Sequence, residues 1–213
     1  VGGTQNFPWR FLGRTSLRGA FIEAARNVMN TLQLRFSRRV RKAARRADLL
    51  IAATSTVQRD FSQVHGVVPL VLNDIGTNRT VAERAFRDTL KPLRILWAGH
   101  LIPRKALGLL IEALAKLGPE TPVELRVAGD GPERKRWQRL AQRYGVDRQI
   151  TWMGRLTHDE TMRQYAWADV FAFTSLRDTT GTVIAEALGQ GLPVVCLDHQ
   201  GAHDVVTEQC GVK

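Results

Sequence analysis

The sequence is poor in cysteine, in aromatic residues and in long apolar runs, and these shortages exclude several classes of protein. Its two cysteines, Cys196 and Cys210, lie 14 residues apart, and the first falls in an apolar run, so we expect reduced thiols rather than a disulfide. No apolar run approaches the roughly 20 residues that span a bilayer. With 44% hydrophobic and 7% aromatic residues, the composition is still that of a folded globule rather than a disordered chain.

The motifs of several common enzyme classes are also missing. No G-x-S-x-G and no Walker lysine motif occurs. The third glycine of a dinucleotide fingerprint is absent after Gly129-Asp130-Gly131, since Arg134 stands there, which disfavours an NAD-dependent oxidoreductase. The histidines are scattered except for one pair that flanks Gly201, so no metal-ligand spacing results; they are His65, His100, His158, His199 and His203. We therefore expect no metal site.

What the sequence does have is positive charge, with a formal net charge of +11. Seven basic residues and no acid occur within residues 35–46: Arg35, Arg38, Arg39, Arg41, Lys42, Arg45 and Arg46. Apolar residues recur here at helical spacing, which predicts one amphipathic helix over residues 17–47 with a basic face. A solvated helix face is one interpretation and attraction to anionic lipid headgroups another. Nucleic acid is disfavoured, because interleaved aromatics and a nucleic-acid-binding fold are lacking.

The order of elements predicts an α/β fold with a doubly wound, Rossmann-like parallel sheet. From Leu93 onward, strands and helices alternate with short turns between them. The predicted strands cover residues 94–98, 123–128, 150–153 and 169–175, with a further strand after Pro193. Ligands of such sheets bind beyond the carboxyl ends of the strands. We therefore expect the loops at 99–105, 129–132, 154–156 and 175–181 to share one rim.

A length of 213 residues suits one large domain, or one domain and part of another. Residues 1–75 contain a further short α/β pattern, with an apolar strand predicted at 49–53 that lacks alternation and so suits a sheet covered on both faces. A polar segment at 76–92 predicts a linker, and residues 93–213 form the second predicted domain. The chain starts at Val1 and stops just after Gly211-Val212, so we expect a fragment.

The most informative stretch is residues 174–195, TSLRDTTGTVIAEALGQGLPVV. It predicts a strand end, a polar loop, a helix that begins near Gly181 and a strand after Pro193. Free backbone N–H groups at Gly181, Thr182 and Val183 would form a site for a phosphate-like anion. Glu186 follows about 7 Å further along the helix axis, at about 1.5 Å per residue. A ribose that carries a diphosphate fits that spacing, with Glu186 accepting hydrogen bonds from its hydroxyls. The alternative is that Glu186 supports a surface helix and Asp178 caps it.

This stretch resembles the donor-binding motif of the group 1 (family four) retaining glycosyltransferases of the GT-B fold. In that family two glutamates are separated by seven residues, the spacing of Asp178 and Glu186 here. EALGQGLPVV also matches the family's E-A-x-x-x-G-x-P-V-V. Two departures are that Asp178 replaces a glutamate and that Thr180 replaces a phenylalanine.

Three other loops carry the same resemblance. The family usually has an arginine where His100 stands and a lysine at the position of Lys105, and both hold the donor diphosphate. In this chain, Arg104 would compensate for the positive charge that is lost at position 100. A solvated lysine is the alternative. Gly129 begins a G-D-G-P turn like that of the family, which turn chemistry with Pro132 also explains.

The loop at Gly154, Arg155 and Leu156 occupies the place where the family contacts the nucleobase. The opening VGGTQNFP resembles a loop of the family's acceptor-binding domain, and a flexible turn is its alternative. The resemblance implies that residues 1–75 are the end of the acceptor-side N-terminal domain and that residues 93–213 are the nucleotide-sugar-binding domain, truncated at its C-terminus.

The resemblance implies transfer of a sugar from a nucleoside diphosphate sugar, with retained anomeric configuration, to a glycan, lipid-linked or small-molecule acceptor. Lys105, with His100 or Arg104, would stabilise the departing diphosphate, Asp178 would orient sugar hydroxyls and Glu186 would hold the ribose. These cations would serve in place of a metal, so no cofactor is implied. A nucleotide-sugar epimerase and a non-catalytic binding module remain alternatives. We expect a cytoplasmic protein with peripheral contact at the inner membrane face through residues 35–46, and a fragment that binds the nucleotide without transferring sugar.

Overall fold

The computed structural model describes residues 5–73, 76, 91–118, 121–179 and 181–213. These residues divide into two compact units. The first contains the described residues of Val1–Gly76, Leu176–Gly181 and Asp198–Val205, and the second those of Thr77–Ser175, Thr182–Leu197 and Val206–Lys213. The first unit is therefore discontinuous in sequence, since it includes two segments that follow the start of the second unit. The predicted division has one linker between two continuous domains. Most of that predicted linker, residues 77–90, lies outside the described residues.

The first unit opens with a 3-10 helix, Trp9–Arg14, and continues through α1 (Leu17–Phe36), α2 (Arg38–Arg46), β1 (Ile51–Ala52), α3 (Ser55–His65) and β2 (Leu70–Val71). The prediction of one helix over 17–47 is wrong, because the helix is interrupted at Ser37. The backbone of Ser37 is extended, with ψ at 114°, and the Ser37 hydroxyl accepts a hydrogen bond from the N–H of Val40 at 3.4 Å. Ser37 therefore ends α1 and caps α2.

The strand predicted at 49–53 is shorter and more exposed than expected. Its ordered part, β1, pairs in parallel with β2, and the described residues add no third strand to this sheet. Ala52 is buried, whereas Ile51 is 56% exposed. The prediction that both faces are covered is therefore wrong for the described residues.

The described residues of the second unit form a six-stranded sheet in which every neighbouring pair is parallel. Its strands are β3 (Leu93–Ala98), β4 (Val123–Ala128), β5 (Ile150–Gly154), β6 (Val170–Phe173), β7 (Val194–Cys196) and β8 (Gly211–Val212). Their spatial order is β5-β4-β3-β6-β7-β8, so the winding direction reverses between β3 and β6. This arrangement confirms the predicted doubly wound parallel sheet.

Helices cover both faces of this sheet. They are α4 (Leu107–Leu117), α5 (Arg134–Tyr144), α6 (His158–Trp167) and α7 (Thr182–Gly189), while α8 (Gly201–Val205) belongs to the first unit. On one face, Trp97 of β3 packs edge-on against Trp137 of α5, with ring centroids 6.3 Å apart. On the other, Phe171 of β6 packs against Tyr165 of α6, at 5.5 Å. Burial on both faces explains why the strands have continuous apolar sequences.

The segment after α7 shows why its glycines and proline are present. Gly191 adopts a left-handed conformation, with φ at 65°, and its N–H donates to the carbonyl of Leu188. The N–H of Leu192 donates back to Ala187, and the buried Leu192 leads through Pro193 into β7. The end of the EALGQGLPVV motif is therefore a helix stop that returns the chain to the sheet.

Ala106 is an unusual residue at the start of α4. It has φ 45° and ψ 38°, the left-handed region that an L-residue with a β-carbon seldom adopts. Such a conformation costs on the order of 1 kcal/mol or more and persists only where its surroundings enforce it.

We expect Ala106→Gly to raise the free energy of unfolding by about 0.5–1 kcal/mol, because glycine adopts this conformation without the steric cost. Chemical denaturation measures the change. Ala113→Gly, on an exposed position inside α4, is the matched control and should lower the free energy by about 0.5–1 kcal/mol. A loss of stability in both variants would contradict the left-handed assignment.

Candidate functional site

A pocket of about 360 Å³ opens at the carboxyl ends of β3, β4 and β5 in the second unit. Its walls come from the turns after these strands and from the first turns of α6 and α7. The lining residues are Ala98, Gly99, His100, Ala128, Gly129, Asp130, Arg155, Leu156, Thr161 and Val183. The pocket therefore lies at the rim where the parallel sheet predicts a ligand.

The turns after β3 and β4 approach each other more closely than side chains would allow. A β-carbon added to Gly129, which has φ at 139°, would collide with the carbonyl oxygen of Gly99. One added to Gly131 would lie 2.5 Å from the carbonyl oxygen of Leu101. Backbone hydrogen bonds join the same turns, from Gly99 N–H to Ala128 and from Leu101 N–H to Asp130. The close approach of the two turns therefore accounts for Gly129 and Gly131 without a ligand, which is the alternative interpretation of the G-D-G-P motif. Gly129 also lines the pocket.

Asp130 lines the pocket and was not among the predicted site residues. Its carboxylate accepts a hydrogen bond from the N–H of Gly131 at 2.8 Å and lies 3.5 Å from the guanidinium of Arg134. The hydrogen bond from Gly131, with a smaller contribution from the Arg134 charge, lowers the pKa of Asp130. The pocket therefore contains a carboxylate that remains ionised as well as the cation of Arg155. The position of Asp130 between Gly129 and Gly131, directly after a predicted strand, is the feature of the sequence that could have identified it as a site residue.

The predicted cations after β3 occupy different places. His100 is exposed and lines the pocket. Arg104 and Lys105 lie in a short 3-10 helix, Pro103–Lys105, are half-buried, and are outside the residues that line it. The ammonium of Lys105 lies 5.3 Å from the centroid of the Phe173 ring, at the end of β6. The structure thus brings His100 to the pocket and fixes Lys105 beside the neighbouring strand.

The predicted nucleobase loop follows β5 as expected. Gly154 has φ at 74°, and its carbonyl accepts a hydrogen bond from the N–H of Gly129 at 2.7 Å. Arg155 and Leu156 both line the pocket. A capping box between Thr157 and Glu160 then starts α6 and brings Thr161, a residue the sequence did not single out, to the pocket wall.

In α7, Thr182 and Val183 occupy the first positions, and Val183 lines the pocket. Glu186 is half-buried and lies outside the residues that line the pocket. Its Oε2 accepts a hydrogen bond from the hydroxyl of the fully buried Tyr165 at 3.0 Å. Burial, with the adjacent Glu186 charge, raises the pKa of Tyr165, so its hydroxyl remains a donor. This bond fixes the Glu186 side chain, and the lone pairs left on the carboxylate can still accept from a ligand.

The remaining predicted residues belong to the first unit. The N–H of Asp178 donates to Oε1 of Gln200 at 2.9 Å, and Nε2 of Gln200 donates to the carbonyl of Asn6 at 3.0 Å. Gly181 has φ at 69° immediately before α7. Thr180 lies outside the described residues.

Among the described residues, no group of three or more His, Cys, Asp or Glu side chains is arranged to hold a metal ion. No helix in the described ranges is both long and apolar enough to cross a membrane.

The chain is similar to known proteins over more than half of its length. The family model described as "Glycosyl transferases group 1" matches residues 78–211. A lipopolysaccharide core biosynthesis glycosyltransferase, LpsE of Rhizobium meliloti, is 35% identical over 136 residues, which are 63% of this chain and 38% of LpsE. The sulfoquinovosyl transferase SQD2 of Arabidopsis thaliana is 36% identical over 118 residues, 55% of this chain and 22% of SQD2. The chain thus spans well under half the length of these curated relatives.

Solved structures share the fold. HepE of Anabaena in complex with UDP has a TM-score of 0.66 at 25% identity, over 83% of this chain and 54% of HepE. The apo form of the lipopolysaccharide outer core galactosyltransferase WaaB has a TM-score of 0.64 at 19% identity, over 82% of this chain and 50% of WaaB. These likenesses confirm the predicted GT-B type α/β fold.

Gly129→Ala should lower the free energy of unfolding by about 2 kcal/mol or more, because the added methyl meets the Gly99 carbonyl and the residue must keep a left-handed φ. Thermal or chemical denaturation without nucleotide measures the loss. Gly13→Ala is the control, since a β-carbon there has no atom within 4 Å. If both variants were as stable as the parent, Gly129 would not be required by the fold.

Proposed function

Because this chain belongs to the group 1 glycosyltransferase family, we propose that the whole protein transfers a sugar from a nucleoside diphosphate sugar to an acceptor with retention of anomeric configuration. The observation that carries the proposal is the pocket at the carboxyl ends of β3, β4 and β5, where a parallel sheet binds its ligand. HepE, which shares the fold, has been solved with UDP and with UDP and glucose. These complexes support a nucleoside diphosphate sugar as the donor.

In this proposal the diphosphate binds between the turn after β3 and the start of α7. Lys105 supplies fixed positive charge, Arg104 adds to it, and His100 donates a hydrogen bond from the pocket wall. The first N–H groups of α7, at Thr182 and Val183, bind the same anion. Charge placed in advance stabilises the leaving diphosphate without reorganisation as the glycosidic bond breaks. These groups supply the charge stabilisation for which other enzymes use a divalent metal, so the proposal includes no metal.

The nucleoside occupies the rest of the pocket. Glu186, held by the Tyr165 hydroxyl, accepts hydrogen bonds from the ribose, and the backbone of Gly154, Arg155 and Leu156 contacts the base. Gly129 permits the close approach of the turns that form the pocket floor.

Two substitutions test the donor site. Glu186→Ala should weaken binding of both nucleoside and nucleoside diphosphate by about 1.5–3 kcal/mol, because hydrogen bonds to a charged acceptor are lost. Lys105→Ala should weaken UDP, GDP or ADP much more than the matching nucleoside, because only the former carries phosphate charge. Calorimetric or saturation-transfer titrations with UDP and uridine, GDP and guanosine, and ADP and adenosine measure the affinity changes in both variants.

Matched controls are available in the same unit. Lys116→Ala removes an exposed lysine from the last turn of α4, and Glu124→Ala removes an exposed carboxylate near the start of β4. Both should leave the affinities unchanged. Unaltered diphosphate affinity in Lys105→Ala, or equal losses of diphosphate and nucleoside, would remove Lys105 from the phosphate site.

A binding module without catalysis is the second candidate. It is favoured by the exposed imidazole at position 100, where fixed charge is lost, and by Asp178 in place of glutamate. Incubation of the full-length protein with nucleoside diphosphate sugars and lipid-linked or glycan acceptors separates the two. A product with the donor's anomeric configuration supports the transferase, and saturable binding with no turnover supports the module.

We also propose that the first unit contacts anionic membrane surfaces. All basic residues of α2 are exposed, and no acidic residue lies within that helix. Exposed apolar side chains line one side of α1, namely Leu17, Phe21, Val28, Leu32 and Phe36. Apolar surface beside basic charge is the combination that binds anionic lipid headgroups.

Binding to vesicles that contain phosphatidylserine should therefore exceed binding to neutral phosphatidylcholine vesicles and should weaken as salt rises. The triple variant Arg39→Ala, Lys42→Ala, Arg46→Ala should lose up to about 3 kcal/mol, at about 1 kcal/mol per basic residue. An equal change of charge on exposed positions of α5, Lys135→Ala, Arg139→Ala, Arg143→Ala, is the control. Equal binding to neutral vesicles, or equal losses in the two triple variants, would overturn this proposal.

A further inference from the structure

Three consecutive residues at the end of β6 hold the turn that carries Lys105. Phe173 contacts the lysine ammonium with its ring, Thr174 donates a hydrogen bond to the Lys105 carbonyl at 2.8 Å, and Ser175 makes a longer one to the Arg104 carbonyl at 3.4 Å. β3 and β6 are the adjacent strands between which the winding reverses. The contacts therefore join the two loops that flank the switch point of the sheet.

The Thr174 hydroxyl is the central group of this set. It accepts a hydrogen bond from Nε1 of Trp97 at 3.0 Å while donating its single proton to the Lys105 carbonyl. Thr174 is 9% exposed and Trp97 is 2% exposed, so both bonds are largely shielded from water. A buried donor such as the indole N–H is costly to leave unpaired, and this fixes the direction in which the hydroxyl proton points.

The turn needs such support because its last residue is strained. Ala106 follows Lys105 directly and is in the left-handed region, at φ 45°. A chain without restraint seldom adopts this conformation at alanine, so its neighbours must enforce it. The hydrogen bond from Thr174 holds the peptide between Lys105 and Ala106 from the side of β6.

The same strand end also places the lysine side chain. The Phe173 ring is buried and lies 5.3 Å below the ammonium, a cation–π distance. The side chain of Lys105 is thus held by Phe173, the last residue of β6, and its backbone by Thr174, the residue that follows. The charge is presented from a fixed position rather than from a mobile stem.

We propose that Thr174 is a positioning residue, acting through the relay Trp97–Thr174–Lys105 to fix the lysine that meets the donor diphosphate. This inference rests on the proposed function, in which Lys105 contacts phosphate. Thr174 itself does not contact the diphosphate. Its contribution is geometric, because electrostatic stabilisation by a preset charge depends on that charge being placed before the ligand arrives.

The test compares Thr174→Val with Thr174→Ser. Valine keeps the shape of threonine and removes both hydrogen bonds, whereas serine retains the hydroxyl. We expect Thr174→Val to weaken UDP by about tenfold and uridine by less than about twofold, since one positioned hydrogen bond is lost. Thr174→Ser should bind both as the parent does. GDP with guanosine and ADP with adenosine are measured in parallel.

A double variant shows whether Thr174 acts through Lys105. If it does, adding Thr174→Val to Lys105→Ala should cause no further loss of diphosphate affinity. Trp97→Phe removes the first bond of the relay and should also weaken UDP more than uridine. This variant keeps the test decisive if Thr174→Val does not fold, which its melting curve reveals.

A failure of the phosphate site and a failure of the Thr174 relay give different results. If Lys105→Ala retains UDP, GDP and ADP affinity, the proposed phosphate site fails and the relay with it. If Lys105→Ala loses that affinity while Thr174→Val does not, only the relay is wrong. Equal losses of UDP and uridine in Thr174→Val, or additive losses in the double variant, would reduce Thr174 to a structural role.

Discussion

The turn after β3, residues 99–106, is held from both neighbouring strands, and the geometry of the rim depends on this double restraint. On the β4 side, Gly99 and Leu101 donate backbone hydrogen bonds to Ala128 and Asp130. Glycine at position 129 allows the two turns to touch. On the β6 side, Thr174 holds the carbonyl of Lys105. A turn fixed at both edges can keep a strained residue and a charged side chain in one place, as a preorganised anion site requires.

The second unit could be predicted from sequence almost to the residue, and the first could not. β4 lies at the predicted 123–128, and β3 begins one residue before its predicted start at 94. Strands buried on both faces and short turns rich in glycine and proline make these boundaries sharp. In the first unit, the periodicity over 17–47 continued across Ser37 although the backbone did not. A single capping serine outweighs a repeating apolar pattern, and the pattern alone does not reveal it.

The candidate site was predictable where one loop carries the information. His100, Gly129, Arg155, Leu156 and Val183 line the pocket, and each follows a strand or begins a helix, as its motif indicated. The partners of Lys105 and Glu186 were not predictable. Thr174 is 69 residues from Lys105, and Tyr165 is 21 residues from Glu186. Contacts between loops on different strands depend on strand order, which no local motif encodes.

The most direct test of the account is an amide NMR titration of the chain with UDP, GDP and ADP. We expect one of them to shift the amide resonances of residues 99–106, 129–131, 154–156 and 182–186, because these segments form the rim around the pocket. Amides of α2, and of the opposite ends of β3 and β4, should remain unchanged. Shifts confined to α2, or no saturable shift with any of the three, would contradict a nucleotide site at the rim.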